Sequence, residues 1–174
     1  MNKTRIYRGP IFELIQKNIL IHDKIYKRDI IVHPGGVGVL AIDQNKILLV
    51  RQYRPAIDKE TWEIPAGKLE YGEDPKECGL RELNEETGYE AKNLQLITSI
   101  YSTPGFCNEK IWIYEAKHIT KAAHHLNMDE DEEIEIKWFA IKDAYEMIKK
   151  NQIEDAKTII AIQHAIITKK GLKL

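Results

Sequence analysis

Apolar and polar residues alternate along Phe12 to Ile21 and again along Lys24 to Val32, with His22 and Asp23 between the two runs. A period of two predicts strands, and the pair reads as an antiparallel hairpin. After His33, Pro34, Gly35 and Gly36, the runs VGVLAID and KILLVRQY flank Asp43, Gln44 and Asn45, turn formers between two core strands. Thr61 to Ala66 reads as one short extended segment. Asp74 to Thr87 carries helix signals at both ends: Asp74 as N-cap, Pro75 in the first turn and Gly88 just past the end. Further on, LQLITSIY, KIWIYEAK and IEIKWFAI predict three strands, and KDAYEMIKKN and DAKTIIAIQHAIITKK two closing helices. The sum is an α/β chain with a mixed sheet. No repeat, low-complexity tract or linker divides it, so residues 1–174 are expected to form one domain.

Composition narrows the partners. With 174 residues, 43% hydrophobic and 30% charged, the chain is long enough for one buried core. A formal charge of -1 supplies no basic field that would draw it to nucleic acid or anionic lipid. Cys78 and Cys107 are too few for a disulfide framework, and reduced thiols fit a cytoplasmic location. The start of the chain lacks the pattern of an export signal, and no stretch approaches the ~18 apolar residues of a membrane span. Trp62, Trp112 and Trp138 read as packing residues. Tyr7 and Phe12 are candidates either for packing or for stacking on a base. His124 and His125 belong to a surface loop.

Glu82, Glu85 and Glu86 occupy i, i+3 and i+4 of the predicted helix, within an arc of about 100° on one face. Leu80 and Leu83 point elsewhere, toward a core. Like charges ~4 Å apart repel by on the order of 1 kcal/mol even in water, and a divalent cation would relieve that. All-oxygen donors suit a hard ion, with Mg²⁺ the default beside phosphate. Taken alone, the helix is as well explained as a solvated surface that uses Glu as a helix former. The approach Ala66-Gly67-Lys68-Leu69-Glu70-Tyr71-Gly72-Glu73 favours the metal, because its glycines let backbone oxygens come close to the same place.

The segment GKLEYGEDPKECGLRELNEETGY resembles the Nudix box at Gly67, Glu73, Arg81, Glu82, Leu83, Glu85, Glu86, Gly88 and Tyr89. This resemblance implies an α/β/α sandwich around a mixed sheet and cleavage of a nucleoside diphosphate linked to another moiety. It implies Glu82 and Glu86 as central metal ligands, with Glu85, counted also among the catalytic groups, and the Ala66 carbonyl beside them. Gly67, Glu73, Arg81 and Gly88 would be structural, Arg81 and Glu73 as an ion pair locking loop to helix. The implied cofactor is Mg²⁺, with Mn²⁺ as the alternative, at more than one ion per site.

Around the box, the run Tyr101 to Glu109 with Pro104, the segments RQYRP at 51–55 and EIPAG at 63–67, and DAKT at 155–158 resemble the ADP-ribose pyrophosphatase branch. That branch carries its catalytic Glu on a loop where this chain has the acidic run 129–135. By match of residues Glu130 is the general base and Glu132 an extra metal ligand, within a register of a residue or two. Arg54 is the phosphate anchor preferred over Arg51, which strand alternation puts on the opposite face. Arg28 and Asp29 fall where the branch contacts adenine. Glu63 and Glu109 are candidates for the terminal ribose, Glu63 being equally readable as a structural pair. The branch implies a homodimer through an antiparallel strand extension, residues 1–33 here, ahead of a core at 34–174. The expected reaction is hydrolysis of ADP-ribose to AMP and ribose 5-phosphate. Another nucleoside diphosphate sugar, a dinucleoside polyphosphate, and a non-catalytic ADP-ribose sensor are the rivals.

Overall fold

A computed structural model describes residues 3–127 and 134–169. Among the described residues, eleven strands and three helices follow in the order β1 (Lys3–Arg8), β2 (Glu13–Ile21), β3 (Lys24–Val32), β4 (Gly36–Leu40), β5 (Ile42–Asp43), β6 (Lys46–Arg54), β7 (Lys59–Glu63), β8 (Ala66–Lys68), α1 (Pro75–Thr87), β9 (Tyr89–Tyr101), β10 (Lys110–Lys121), β11 (Glu135–Ala140), α2 (Ile141–Lys149) and α3 (Ala156–Lys169). The expected hairpin is β2 with β3, closed at His22 and Asp23, whose φ values are 46° and 59°. Gln44 and Asn45 turn between β5 and β6 in the same left-handed way. Two adjacent residues with positive φ match the twist of the paired strands.

Two differences from the sequence reading matter. The first is β1, which pairs antiparallel with β2 and makes the N-terminal hairpin a three-stranded sheet. Its six residues are all exposed, so no burial pattern marked it. The second concerns Thr61 to Ala66, which is not one strand. β7 pairs with β6 in one sheet, and β8 pairs with β4 in another, so the chain changes sheets at Ile64 and Pro65. The Pro65 carbonyl accepts from the Val39 amide at 2.8 Å and ties the crossing down.

The central sheet runs β8-β4-β10-β9, with β4 parallel to β10 and the other pairs antiparallel. Its neighbour runs β11-β6-β5, with β7 on β6. Alternation sorts the buried residues onto two faces. Val37 and Val39 of β4 and Leu48 of β6 pack with Cys78 and Leu83 of α1. Leu40, Ile47 and Leu49 pack with Ile141 and Ala144 of α2 and Ala161, Ile162 and Ala165 of α3. Helices therefore cover both faces of a mixed sheet, the α/β/α arrangement expected. Among the described residues no helix is long and apolar enough to cross a membrane.

α1 begins and ends as its sequence predicts. The Asp74 carboxylate accepts from the Lys76 and Glu77 amides at 2.8 and 3.4 Å, and Gly88, at φ 66°, donates to the Asn84 carbonyl at 2.7 Å. Asp74→Ala is expected to lower stability by about 1 kcal/mol, read as a shift in the urea midpoint at unchanged m-value.

Candidate active site

α1 and β8 face each other, and Glu82 and Glu86 of α1 lie at that contact. Glu86 is buried and accepts from the Ala66 amide at 2.9 Å. Glu82 lies against Gly67 so closely that a Cβ there would stand 1.9 Å from the Glu82 carboxyl carbon. Arg81 binds the group from its other side. Its Nε and Nη2 donate to the two Glu73 oxygens at 3.0 and 3.2 Å, and its Nη1 donates to Glu82 at 2.8 Å and to Glu85 at 2.7 Å. Glu73 in turn accepts from the Glu70 amide at 2.9 Å. The Arg81 hydrogen bonds hold the Glu73 carboxyl below its ordinary range against the opposing effect of burial. One guanidinium thus joins the loop ahead of the helix to two of its glutamates. Cys78 sits beneath, its thiol pushed up to about 12, first by burial and then by Glu73 and Glu82. A thiol so placed stays protonated and unreactive.

Among the described residues, His, Cys, Asp and Glu side chains form no metal-holding cluster of three or more, since Arg81 stands between Glu82 and Glu85 while Glu86 turns to Ala66. The donor set still fits a hard divalent cation. Glu82 and Glu86, with Glu85 on the same helix face, bring carboxylate oxygen to the backbone of β8 where Gly67 has no side chain to fill the space.

Next to this contact lies a cavity of about 190 Å³ lined by His33, Gly36, Val37, Arg54, Ala66, Gly67, Lys68, Glu109, Ile111 and Lys157. Of the candidate substrate residues, Arg54 and Glu109 are on its wall. Glu63 is behind it, buried at 3% exposure and fully engaged. It accepts from Arg54 Nε and Nη2 at 2.8 and 2.7 Å, from Lys157 Nζ at 2.5 Å and from the Thr61 hydroxyl. Glu63 thus stands in ion pairs with both Arg54 and Lys157. Lys157 also reaches Asp155 at 3.0 Å, and Asp155 caps α3 by accepting from the Thr158 amide and hydroxyl at 3.0 and 2.6 Å. Sequence reasoning gave Lys157 no role. Its signal was present only in the DAKT resemblance, because the contact with Glu63 spans 94 residues.

Burial alone would raise the Glu63 carboxyl, but the Arg54 hydrogen bonds and the Lys157 charge hold it down at about 2. A depressed folded-state pKa gives stability that is present above the unfolded value of 4.5 and lost as pH falls toward 2. The contribution is on the order of 3 kcal/mol. Urea unfolding between pH 5 and 2 should therefore weaken the wild type more steeply than Glu63→Gln, and parallel curves would refute the linkage.

The other candidates lie apart. Pro104 turns the Thr103–Phe106 loop and lines a second cavity, about 340 Å³, with Ile30, Tyr101, Phe106, Cys107 and Asn108. That loop docks on β3 through Ile31 to Phe106 at 2.7 Å and Asn108 to Ile31 at 3.1 Å. Arg28 and Asp29 sit exposed on β3, where Arg28 stacks on Tyr26 and Asp29 accepts from Gln16 at 3.1 Å. Neither lines the Arg54 cavity. Arg51 is on the opposite face as alternation required, paired with Glu60 and Glu135. Glu130 and Glu132 lie outside the described residues. Ahead of them, Asn84 of α1 grips the chain through the His124 carbonyl and Leu126 amide at 3.1 and 2.8 Å, and His125 meets the Glu85 carbonyl at 3.0 Å. The histidine pair is thus tied to the helix that carries the carboxylates. The tryptophans pack: Trp62 edge-on to Phe139, Trp138 edge-on to Tyr89, and Trp112 under Lys110.

The sequence profile of the NUDIX domain matches residues 32–161. This chain belongs to the Nudix family. Its relatives include an ADP-ribose pyrophosphatase of Bacillus subtilis (strain 168), 41% identical over 93% of this chain and 89% of that one. A methanol dehydrogenase activator of Bacillus methanolicus is 42% identical over 92% and 88%. A solved ADP compounds hydrolase superposes with a TM-score of 0.83 over 99% of this chain and 94% of the other, at 20% identity, and shows the fold. The Nudix fold and family expected from Gly67 to Tyr89 are thereby established.

Proposed function

We propose that this Nudix chain is a hydrolase that cleaves ADP-ribose with water to AMP and ribose 5-phosphate. The observation that carries the reading is the meeting of Glu82 and Glu86 with the β8 backbone, on the wall of a cavity that also holds Arg54, Lys68 and Lys157. Carboxylates for metal and cations for phosphate stand side by side there. The 41% identity with an ADP-ribose pyrophosphatase over nearly the whole chain supports the choice of substrate.

Glu82, Glu85, Glu86 and the Ala66 carbonyl would hold divalent metal, with Glu132 as a further ligand, and Mg²⁺ is the ion, Mn²⁺ its substitute, at more than one per site. When bound, the metal acidifies a water and neutralises charge that develops on the diphosphate. Arg81 fixes Glu82 and Glu85, and through Glu73 it holds the approach loop. Arg54, anchored by Glu63, offers its remaining donor edge to a phosphate oxygen. Glu109 accepts from the terminal sugar, and Glu130 takes the proton from the attacking water. Pro104 shapes the loop beside Ile30, and Arg28 and Asp29 meet adenine. The chain is one domain, 34–174 with the sheet of 1–33 as an extension. That sheet exposes Ile6, Tyr7, Ile11, Leu20 and Ile25, apolar surface suited to a homodimer. Cytoplasm, with both thiols reduced, is its compartment.

Product analysis with Mg²⁺ over ADP-ribose, GDP-mannose, dinucleoside polyphosphates and nucleoside triphosphates tests the reading. ADP-ribose should give the highest kcat/KM and equimolar AMP and ribose 5-phosphate. A higher kcat/KM with another member, or ADP-ribose binding without AMP release, would overturn it. Glu130→Gln should lower kcat by about 10²-fold with little change in KM. The same signature confined to Glu132, Glu133 or Glu109 moves the base there.

A further inference from the structure

In the run Asp155-Ala156-Lys157-Thr158, which opens α3, three side chains bind one another. Asp155 accepts at Oδ2 from the Thr158 amide and hydroxyl at 3.0 and 2.6 Å, and at Oδ1 from Lys157 Nζ at 3.0 Å. The Thr158 hydroxyl is fully buried and meets a second group, the Ile64 amide, at 2.8 Å. A backbone N–H can only donate, so the hydroxyl accepts from Ile64 and gives its one proton to Asp155. Lys157 uses two of its three donors, one on Asp155 and one on Glu63 Oε2 at 2.5 Å. The first turn of α3 thus holds two consecutive residues where the chain changes sheets, Glu63 by its carboxylate and Ile64 by its amide. One carboxylate, that of Asp155, sets both arms.

The arm through Lys157 leads to Arg54. Glu63 Oε2 also accepts from Arg54 Nη2 at 2.7 Å, so two cations share one oxygen and repel each other across it. Asp155 stands on the other side of Lys157, and the row Arg54, Glu63, Lys157, Asp155 alternates in sign. Burial makes that balance matter, since Lys157 is 11% exposed and water screens it little. The charge of Asp155 is felt at Arg54 itself, whose guanidinium is held charged first by the Glu63 hydrogen bond and then, against burial, by the charges of Glu63, Glu86 and Asp155. Asp155 does not line the Arg54 cavity, so its action there is indirect. We infer that Asp155 is a positioning residue for the diphosphate reaction, holding Lys157 so that Glu63 keeps Arg54 turned with its free donor edge toward the cavity. The inference rests on the phosphate role given to Arg54 above, and it adds the residue that aims it.

Asp155→Asn separates positioning from helix capping. Asparagine caps a helix about as well as aspartate. With its oxygen on Thr158, its amide nitrogen faces Lys157, donor against donor, and one negative charge is gone. With ADP-ribose and Mg²⁺, KM should rise by about 10-fold while kcat changes by less than about 2-fold, at a melting temperature close to wild type. Lys157→Met should raise KM as well, and Asp155→Asn added to it should raise KM no further, because the two residues act in series. A second readout needs no substrate. By NMR of the free protein, the Arg54 Nε–H, which donates to Glu63, should exchange with water slowly in the wild type and faster in both single variants. Wild-type KM in Asp155→Asn, a fully additive rise in the double variant, or an unchanged Arg54 exchange rate each overturns the proposal. Failure of the wild type to turn over ADP-ribose, with Arg54 exchange still dependent on Asp155, is a failure of the functional reading instead.

Discussion

Glu82→Gln and Glu86→Gln are each expected to reduce kcat for ADP-ribose by more than about 10³-fold, a loss of ~4 kcal/mol of transition-state stabilisation. Glutamine keeps the volume of the side chain. At position 86 its amide oxygen can still accept from the Ala66 amide, and at position 82 Arg81 retains Glu73 and Glu85 as partners. Each variant therefore removes a negative charge at the helix–strand contact and little else, so melting temperatures should stay close to wild type. Calorimetric titration with Mg²⁺ should show weakened binding in step with the kinetics. Full turnover by both variants at ordinary Mg²⁺ would sink the metal-site assignment. Loss of activity with unchanged metal affinity would move these glutamates from ligands to another role.

The parts of this site that were legible beforehand are those whose partners are near in sequence. Asp74, Pro75 and Gly88 bound one helix, and i, i+3, i+4 spacing put Glu82, Glu85 and Glu86 together regardless of what surrounds them. Arg81 with Glu73 spans only 8 residues. The hairpin at His22 and Asp23 and the turn at Gln44 and Asn45 were likewise local. What stayed hidden depends on tertiary placement. β1 buries nothing, so alternation had no burial to report. The Ile64–Pro65 crossing looks extended throughout, and only pairing shows that its two halves belong to different sheets. Glu63 was readable either as a ribose contact or as a structural pair, and its partner Lys157 comes from α3, 94 residues on. His33 entered only as the first residue of the segment ahead of the core strands, and its contacts with Asn108, 75 residues away, and Glu109 are tertiary.

Gly67→Ala is expected to lower kcat by about 10²-fold with a stability loss of only about 1 kcal/mol. The position has no positive φ to preserve, so its constraint is space. An added Cβ would overlap the Glu82 carboxylate, 1.9 Å from its carbon and 1.9 and 2.3 Å from its oxygens. Those atoms are the far end of a flexible side chain, so the collision is relieved by swinging Glu82 away rather than by moving β8. Displacement of one charged group by about 1 Å suffices to cost ~10²-fold in a preorganised site. Glu86, bonded to Ala66 next door, remains in place. Gly79→Ala makes the contrasting control, since its Cβ would meet Leu94, Val37 and Val39 at 2.8, 2.9 and 3.2 Å inside the core. Overpacking there should cost about 1–3 kcal/mol of stability while the folded fraction turns over normally. The two glycines of one motif would then separate cleanly, one limiting catalysis and the other folding. A Gly67→Ala enzyme with wild-type kcat and Mg²⁺ affinity would mean that Glu82 need not rest on β8 during the reaction.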